Sequence, residues 1–181
     1  MTIEIVEESA DRLAEYGEVS ISFLVQSTLR LQPLSNGLGG LILSEEEVDP
    51  PYLKDYDAYG EGPAIWADKW DVSHWATIAA FDGRRRVGGS VLAWKTPGKW
   101  MLEDRDDLVV LQDMRIDPEY RRRGIGSRLF TRAVEWAQQK ECHQMKVETQ
   151  NINVPACRFY AAQGCELGVI NRHAYSDFPE E

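Results

Sequence analysis

Residues 111–130 read LQDMRIDPEYRRRGIGSRLF, an apolar-polar strand run followed by three arginines and a glycine pair. The run "DLVVLQDMRI" (107–116) has the β-branched content of a strand ending at Ile116. From Gly126 to Lys140, Leu129, Phe130, Ala133, Val134 and Ala137 recur at helical spacing, which predicts a helix laying one stripe on a sheet. The glycine-arginine turn therefore lies between a strand end and a helix start. Backbone N–H groups in a first helical turn lack intrahelical acceptors and carry the positive end of the helix dipole, so they favour phosphate oxygens. Gly124 and Gly126 leave room for close approach, and the guanidinium groups of Arg121, Arg122 and Arg123 offer paired donors to a diphosphate. A nucleoside-triphosphate loop would end in Gly-Lys-Ser/Thr, which is absent. The dinucleotide pattern G-x-G-x-x-G fails because Leu129 stands at its third glycine.

Working outward, "MKVET" (145–149) reads as a strand that the helix joins in parallel to the one ending at Ile116. Upstream, "WATIAAFDGRRRVGGSVLAW" (75–94) is a hairpin, with Asp82-Gly83 supplying the positive φ of a tight turn. Its Arg84, Arg85 and Arg86 form a second triplet, but no helix follows, so no site is assigned there. "TIEIVE" (2–7) is a short strand and 9–18 a helical segment. "VSISFLVQSTLRL" (19–31) and "LGGLILSEEEV" (38–48) are further strands. Asn153 is placed to cap a short helix with Pro155 in its first turn, and "GVINRHAYS" (168–176) is read as a closing strand. The order implies an α/β or α+β sheet in a single domain over 1–181.

The stretch from Asp49 to Trp75, rich in proline, glycine, aromatics and carboxylates, shows no regular pattern, and loops of that length are usually functional. Lys plus Arg total 20 against 30 Asp plus Glu, a formal charge of −10, which argues against nucleic acid or an anionic membrane and for a cationic small-molecule partner. No apolar run approaches the roughly 20 residues of a membrane span, and "MTIEIVEESADRL" lacks the pattern of a secretory leader, so a cytoplasmic location is expected. Cys142, Cys157 and Cys165 read as reduced small hydrophobes, and His74, His143 and His173 lack metal-site spacing, so no metal is expected. Tyr52, Asp55, Tyr56, Trp66 and Trp70, with Asp57, Tyr59 and Glu61, combine carboxylates with aromatic faces suited to an ammonium group. The plain alternative is that these carboxylates only keep the chain soluble.

The pattern Arg121-x-x-Gly124-x-Gly126 resembles the acetyl-CoA pyrophosphate loop of the GCN5-related N-acetyltransferase (GNAT) superfamily. "NVPACRFYAAQGCELG" (153–168) is similar to that family's N-x-x-A-x-x-F-Y-x-x-x-G segment, with Asn153, Ala156, Phe159, Tyr160 and Gly164 at matching positions. This resemblance covers about residues 75–175. Within it, 147–175 resembles the C-terminal segment of streptothricin acetyltransferases, and "PPYLKDYD" (50–57) their substrate side.

The resemblance implies a GNAT-like mixed, mostly antiparallel sheet with splayed parallel middle strands flanked by helices. It implies acetyl-CoA as co-substrate, with the pantetheine arm pairing to backbone near Met114 and Ile116. The loop Arg121, Arg122, Arg123, Gly124, Ile125, Gly126, Ser127 would hold the diphosphate, and Asn153, Ala156 and Phe159 belong to the second cofactor segment. Transfer would be direct, with a backbone N–H near Met114 stabilising the oxyanion. Tyr160 is then the acid that protonates the leaving thiolate, and Asp113 or Glu148 the base. Tyr160 as a packing aromatic, Asp113 as an ion-pair partner of Arg115 on the same strand face, and Glu148 as an exposed strand residue are the structural alternatives. A protein or peptide N-terminal acetyltransferase and a non-catalytic acetyl-CoA-binding module are the rival functions. Oligomeric state stays open, a homodimer included.

Overall fold

The computed structural model describes residues 2–175. In chain order the elements are β1 (Ile3–Glu8), α1 (Leu13–Gly17), β2 (Phe23–Pro33), β3 (Leu41–Lys54), α2 (Trp66–Lys69), β4 (Ala76–Asp82), β5 (Arg85–Ala93), β6 (Leu108–Ile116), α3 (Ile125–Gln139), β7 (Gln144–Val147) and α4 (Val154–Ala162). The chain gathers into two compact units, each assembled from separated stretches. The first holds residues up to Ser22 and from Asp55 to Glu148. The second holds Phe23–Lys54 and the chain from Thr149 onward.

The first unit is built on a five-stranded sheet in the order β1-β4-β5-β6-β7. All neighbours are antiparallel except β6 and β7, which run parallel over Leu108↔Gln144 to Leu111↔Val147. Among the described residues, Gln112 to Ile116 continue β6 beyond its last β7 partner. The β4–β5 hairpin closes between Asp82 and Arg85, with Gly83 at φ 61 supplying the turn. Helix α3 connects the parallel strands and buries Ile125, Gly126, Leu129, Phe130, Ala133, Trp136 and Ala137. Trp136 thus joins the stripe read from sequence, donating through Nε1 to Glu7 at 3.0 Å. A core of Leu13, Tyr16, Trp66, Trp75, Val91, Ala93, Leu102, Leu108 and Val110 packs together, and deleting one such buried leucine side chain costs about 2–5 kcal/mol.

In the second unit β2 and β3 form a two-stranded sheet, and β3 runs on through Pro50-Pro51 to Lys54. Both strands are edges, which is where proline is tolerated in a sheet. A two-stranded ribbon is marginal alone. Here Leu29 N–H donates to the Asn151 carbonyl at 3.0 Å, Asn151 Nδ2 donates to Thr28 Oγ1 at 3.0 Å, and Arg158 pairs with Glu45. Asn153 caps α4 as its position predicts, its Oδ1 accepting from Ala156 N–H at 3.2 Å with Pro155 in the first turn. The closing strand expected at 168–176 is not formed over 168–175, which are coil and turn, and residue 176 lies outside the described residues. Val169 is exposed, and the Asn171 side chain instead closes a local turn, its Oδ1 accepting from His173 N–H at 3.0 Å. The sheet of the first unit accordingly ends at β7 among the described residues.

Candidate active site

In the first unit, a short turn joins β6 to the start of α3. Asp117 caps a short turn by accepting from Glu119 N–H at 2.9 Å, and Pro118 sits at its first position. Gly124 then adopts φ 78 as the residue preceding α3. A side chain there would meet nothing within 4 Å, so glycine serves the left-handed backbone and not a packing limit. The first intrahelical donor is Arg128 N–H to the Gly124 carbonyl at 3.3 Å, so the N–H groups of the first turn precede the helical ladder. Arg122 (φ 63), Arg123, Gly124 and Ser127 are exposed around this helix start, and Ile125 and Gly126 anchor it in the core.

The three arginines are not equivalent. Arg121 is half-buried and directed at backbone, its Nε donating to the Ile116 carbonyl at 3.0 Å and Nη2 to the Ser22 carbonyl at 2.7 Å. Arg121, expected in the diphosphate clamp, thus has these two donors on backbone carbonyls. Arg123 donates to the Glu119 carbonyl at 2.7 Å and lies 5.0 Å from the Tyr120 ring centroid. From the hairpin triplet, Arg85 reaches the same region, bonding Asp117 at 2.7 Å and Glu119 at 3.3 Å, so this triplet does support the loop even though it holds no site of its own. Arg86 pairs with Glu8 at 2.7 Å.

On β6, Asp113 and Arg115 share one face while Met114 and Ile116 take the other. The Asp113 carboxylate, 6% exposed, accepts from Arg115 Nη2 at 2.6 Å, Arg115 Nε at 3.2 Å and Tyr16 OH at 2.7 Å. This is the ion pair that the i, i+2 spacing allowed. A carboxylate with three donors and little access to solvent is poorly placed to take a proton from an incoming amine. Glu148, just past β7, is exposed. Burial pushes the Tyr16 phenol well above its ordinary range, helped by the adjacent Asp113 charge.

The acceptor-side residues divide. Trp66, expected to line the acceptor pocket, is 8% exposed, packs 6.0 Å from the Trp75 ring, and donates through Nε1 to the Glu61 carbonyl at 2.8 Å. Trp70 is half-buried, and its face already receives a cation, the Lys99 Nζ lying 5.0 Å from its centroid and 5.6 Å from that of Trp75. Lys99, which the sequence reading passed over, is itself only 8% exposed. Burial lowers its pKa, opposed by the negative charge of Glu148. Asp55 caps the short turn Tyr56–Tyr59 by accepting from Asp57 N–H at 3.0 Å. In the second unit, Tyr52 opposes Val25 across the hairpin, and α4 carries Ala156, Phe159 and Tyr160, the last two rings packed edge to face at 5.3 Å. Asn153, expected in the cofactor segment, uses its side chain as the cap of that helix.

The exposed helix start and the end of β6, paired to β5 but beyond its last β7 partner, suit a long ligand with an anionic diphosphate and an amide-bearing arm. The family model described as the acetyltransferase (GNAT) family matches residues 42–165. A streptothricin acetyltransferase from Escherichia coli is 32% identical over 180 residues, covering 99% of this chain and 89% of that protein. Streptothricin acetyltransferase A of Bacillus subtilis (strain 168) is 36% identical over 70 residues, a match spanning 39% of this chain and 40% of that protein. A Bacillus anthracis (strain Ames) structure described as a streptothricin acetyltransferase in complex with acetyl coenzyme A has a TM-score of 0.74 at 26% identity, covering 98% of this chain and 91% of that one. The chain belongs to the acetyltransferase (GNAT) family and is an acetyl-CoA-dependent N-acetyltransferase. A nourseothricin acetyltransferase structure shares the fold at a TM-score of 0.74 and 20% identity, covering 99% of this chain and 92% of that one.

Among the described residues no group of His, Cys, Asp and Glu is arranged to hold a metal ion, and no helix is long and apolar enough to cross a membrane.

Proposed function

We propose that the protein acetylates a primary amine of a small polycationic molecule of the streptothricin kind. The observation that carries this reading is the 32% identity to a streptothricin acetyltransferase along 99% of the chain. The acidic surplus of the sequence, −10 in formal charge, supports a cationic acceptor.

In this reading the first turn of α3, with Gly124 to Ser127, receives the diphosphate, and backbone of Met114 and Ile116 receives the pantetheine arm. Acetyl-CoA supplies an activated thioester. A backbone N–H near Met114 stabilises the negative charge that develops on the acetyl oxygen. Glu148, directly or through water, accepts the proton that the amine gives up as its nitrogen bonds to the acetyl carbon. Tyr160 gives a proton to the sulfur as the C–S bond breaks. Glu148 is preferred to Asp113 because it is exposed, whereas Asp113 is saturated by Arg115 and Tyr16. The role of Tyr160 rests on its place in the family motif.

The test supplies purified protein with acetyl-CoA and a panel of streptothricins, aminoglycosides, polyamines and peptides, and follows free thiol together with product mass. Streptothricins should gain one acetyl group. Turnover confined to peptides would replace this reading with a peptide N-acetyltransferase, and cofactor binding without any turnover would replace it with a binding module.

A further inference from the structure

We infer that Arg115 is a positioning residue for acceptor binding, holding the turn Tyr56–Tyr59 in a fixed place on β6 through Asp57. This rests on the amine-acetylating reading above and deepens it.

Arg115 is 2% exposed, and its guanidinium is bonded along every edge. Toward its own strand it holds Asp113, with Nη2 to Oδ2 at 2.6 Å. Toward the segment after α1 it donates Nη1 to the Val19 carbonyl at 3.0 Å. Toward the acceptor-side turn it is bidentate on Asp57, with Nη1 to Oδ2 at 2.7 Å and Nη2 to Oδ1 at 3.2 Å. Its planar fork fixes both distance and angle, which a lysine could not do.

The pocket around Arg115 is shaped for it. Tyr16, fully buried, lies with its ring 5.1 Å from the Arg115 Cζ and its hydroxyl on Asp113. That ring fits only because residue 89, opposite Arg115 on β5, is glycine: a Cβ there would stand 2.8 Å from Tyr16 Cε2 and 2.7 Å from the Ile78 carbonyl oxygen. A buried cation so fully enclosed is costly to build, and an apolar pair of similar volume would serve stability as well. What the ion pair adds is geometry. It ties Asp57, beside Asp55 and Tyr56, to the strand residue lying between Met114 and Ile116. The turn that offers groups to the amine is thereby indexed to the backbone assigned to the acetyl arm.

The chain leaves the first unit after Ser22 and returns to it at Asp55. Val19 and Asp57 lie just inside those two points, so Arg115 secures both.

Replacing Arg115 leaves Asp113 buried without its cation and risks loss of folding, so the test is made at Asp57. In steady-state kinetics, Asp57→Ala should raise the amine KM at least tenfold, with kcat falling by less and with acetyl-CoA affinity by calorimetry within twofold of the parent. Asp57→Asn keeps one acceptor for Arg115 Nη1 and should restore most of the loss, to within about threefold of the parent KM. An Asn variant as poor as the Ala variant would mean that Asp57 acts by its charge on the amine, and an unchanged KM in Asp57→Ala would mean it does not act at all; either overturns the inference. If the parent enzyme acetylates nothing in the panel, the reading of function fails separately. Hydrogen exchange then decides the positioning: in Asp57→Ala, amides of 56–60 should exchange faster while those of 108–111 keep parent rates, and unchanged exchange at 56–60 overturns it.

Discussion

Arg121 and Ser22 are joined by a 2.7 Å hydrogen bond from guanidinium Nη2 to carbonyl oxygen, while Nε of the same arginine holds the Ile116 carbonyl at 3.0 Å. The first arginine of the glycine-arginine turn is therefore a brace between the end of β6 and the point where the chain leaves the first unit. Burial lowers its pKa from the ordinary arginine value, consistent with a group enclosed by backbone.

Arg121→Ala removes two hydrogen bonds, each worth about 0.5–1.5 kcal/mol, and frees the loop before α3. Acetyl-CoA affinity should fall about tenfold, the effect of ~1.4 kcal/mol. Arg121→Lys should recover only part of it, since one ammonium cannot reproduce the fork. Isothermal calorimetry with acetyl-CoA measures this, and parent-like affinity in the Ala variant contradicts the brace.

Tyr160→Phe deletes one hydroxyl and keeps the ring against Phe159. Positioned general acids contribute roughly 10²–10⁴-fold, so kcat should drop by about 10² or more while acetyl-CoA affinity stays within twofold. A variant with parent kcat removes Tyr160 from proton transfer.

Asp113 and Glu148 are separated by a pair of substitutions. Asp113→Ala removes one of the two carboxylates held by the buried Arg115, leaving Asp57, and should lower unfolding free energy by about 1.5–3 kcal/mol in urea titration, the range for a hydrogen bond to a charged group. Glu148→Gln should leave that free energy within about 0.5 kcal/mol, as for most surface changes, and lower kcat/KM for the amine. Reversal of the two patterns would return Asp113 to the role of base.

Lys99 gives a pH signature. Its folded pKa lies below the unfolded value because burial penalises the ammonium. Below the folded pKa it is charged in both states and the penalty is fully present. Between the folded pKa and the unfolded value near 10.4, the unfolded chain binds more protons, so stability rises with pH in that window. Lys99→Met should therefore raise Tm at pH 7, and the gain should shrink toward pH 10. Thermal melts at the two pH values check it; a lowered Tm at pH 7 contradicts it.

What could be read from sequence was local. The strand-turn-helix at 111–130, the hairpin at Asp82-Gly83 and the Asn153 cap each declare themselves within a few residues, and each is found in place. The Asp113–Arg115 pair also follows from a spacing of two. The remainder of that network does not, since Asp57 and Tyr16 lie 58 and 97 residues away from their partners on β6. The burial of Trp66 is not legible either, because an aromatic amid Pro, Gly and carboxylates reads like a pocket wall, and its packing with Leu13, Tyr16 and Trp75 is tertiary. The segment at 168–175 has strand-like residues but forms no ladder, so β propensity alone does not make a strand there.

The contact of Arg85 with Asp117 and Glu119 bears on how fast an anion arrives. Those two carboxylates stand at the foot of the helix start and would oppose a diphosphate, but Arg85 is paired to both. With a Debye length of about 10 Å at 0.1 M salt, an approaching anion at that ionic strength senses the local arginines and helix end more than the distant carboxylates. At very low ionic strength the overall −10 charge reaches further and repels it. Association of acetyl-CoA should thus pass through a maximum as salt is raised, first because long-range repulsion is screened and then because the local attraction is, so that a strongly acidic protein captures its anionic donor best in moderately salty water.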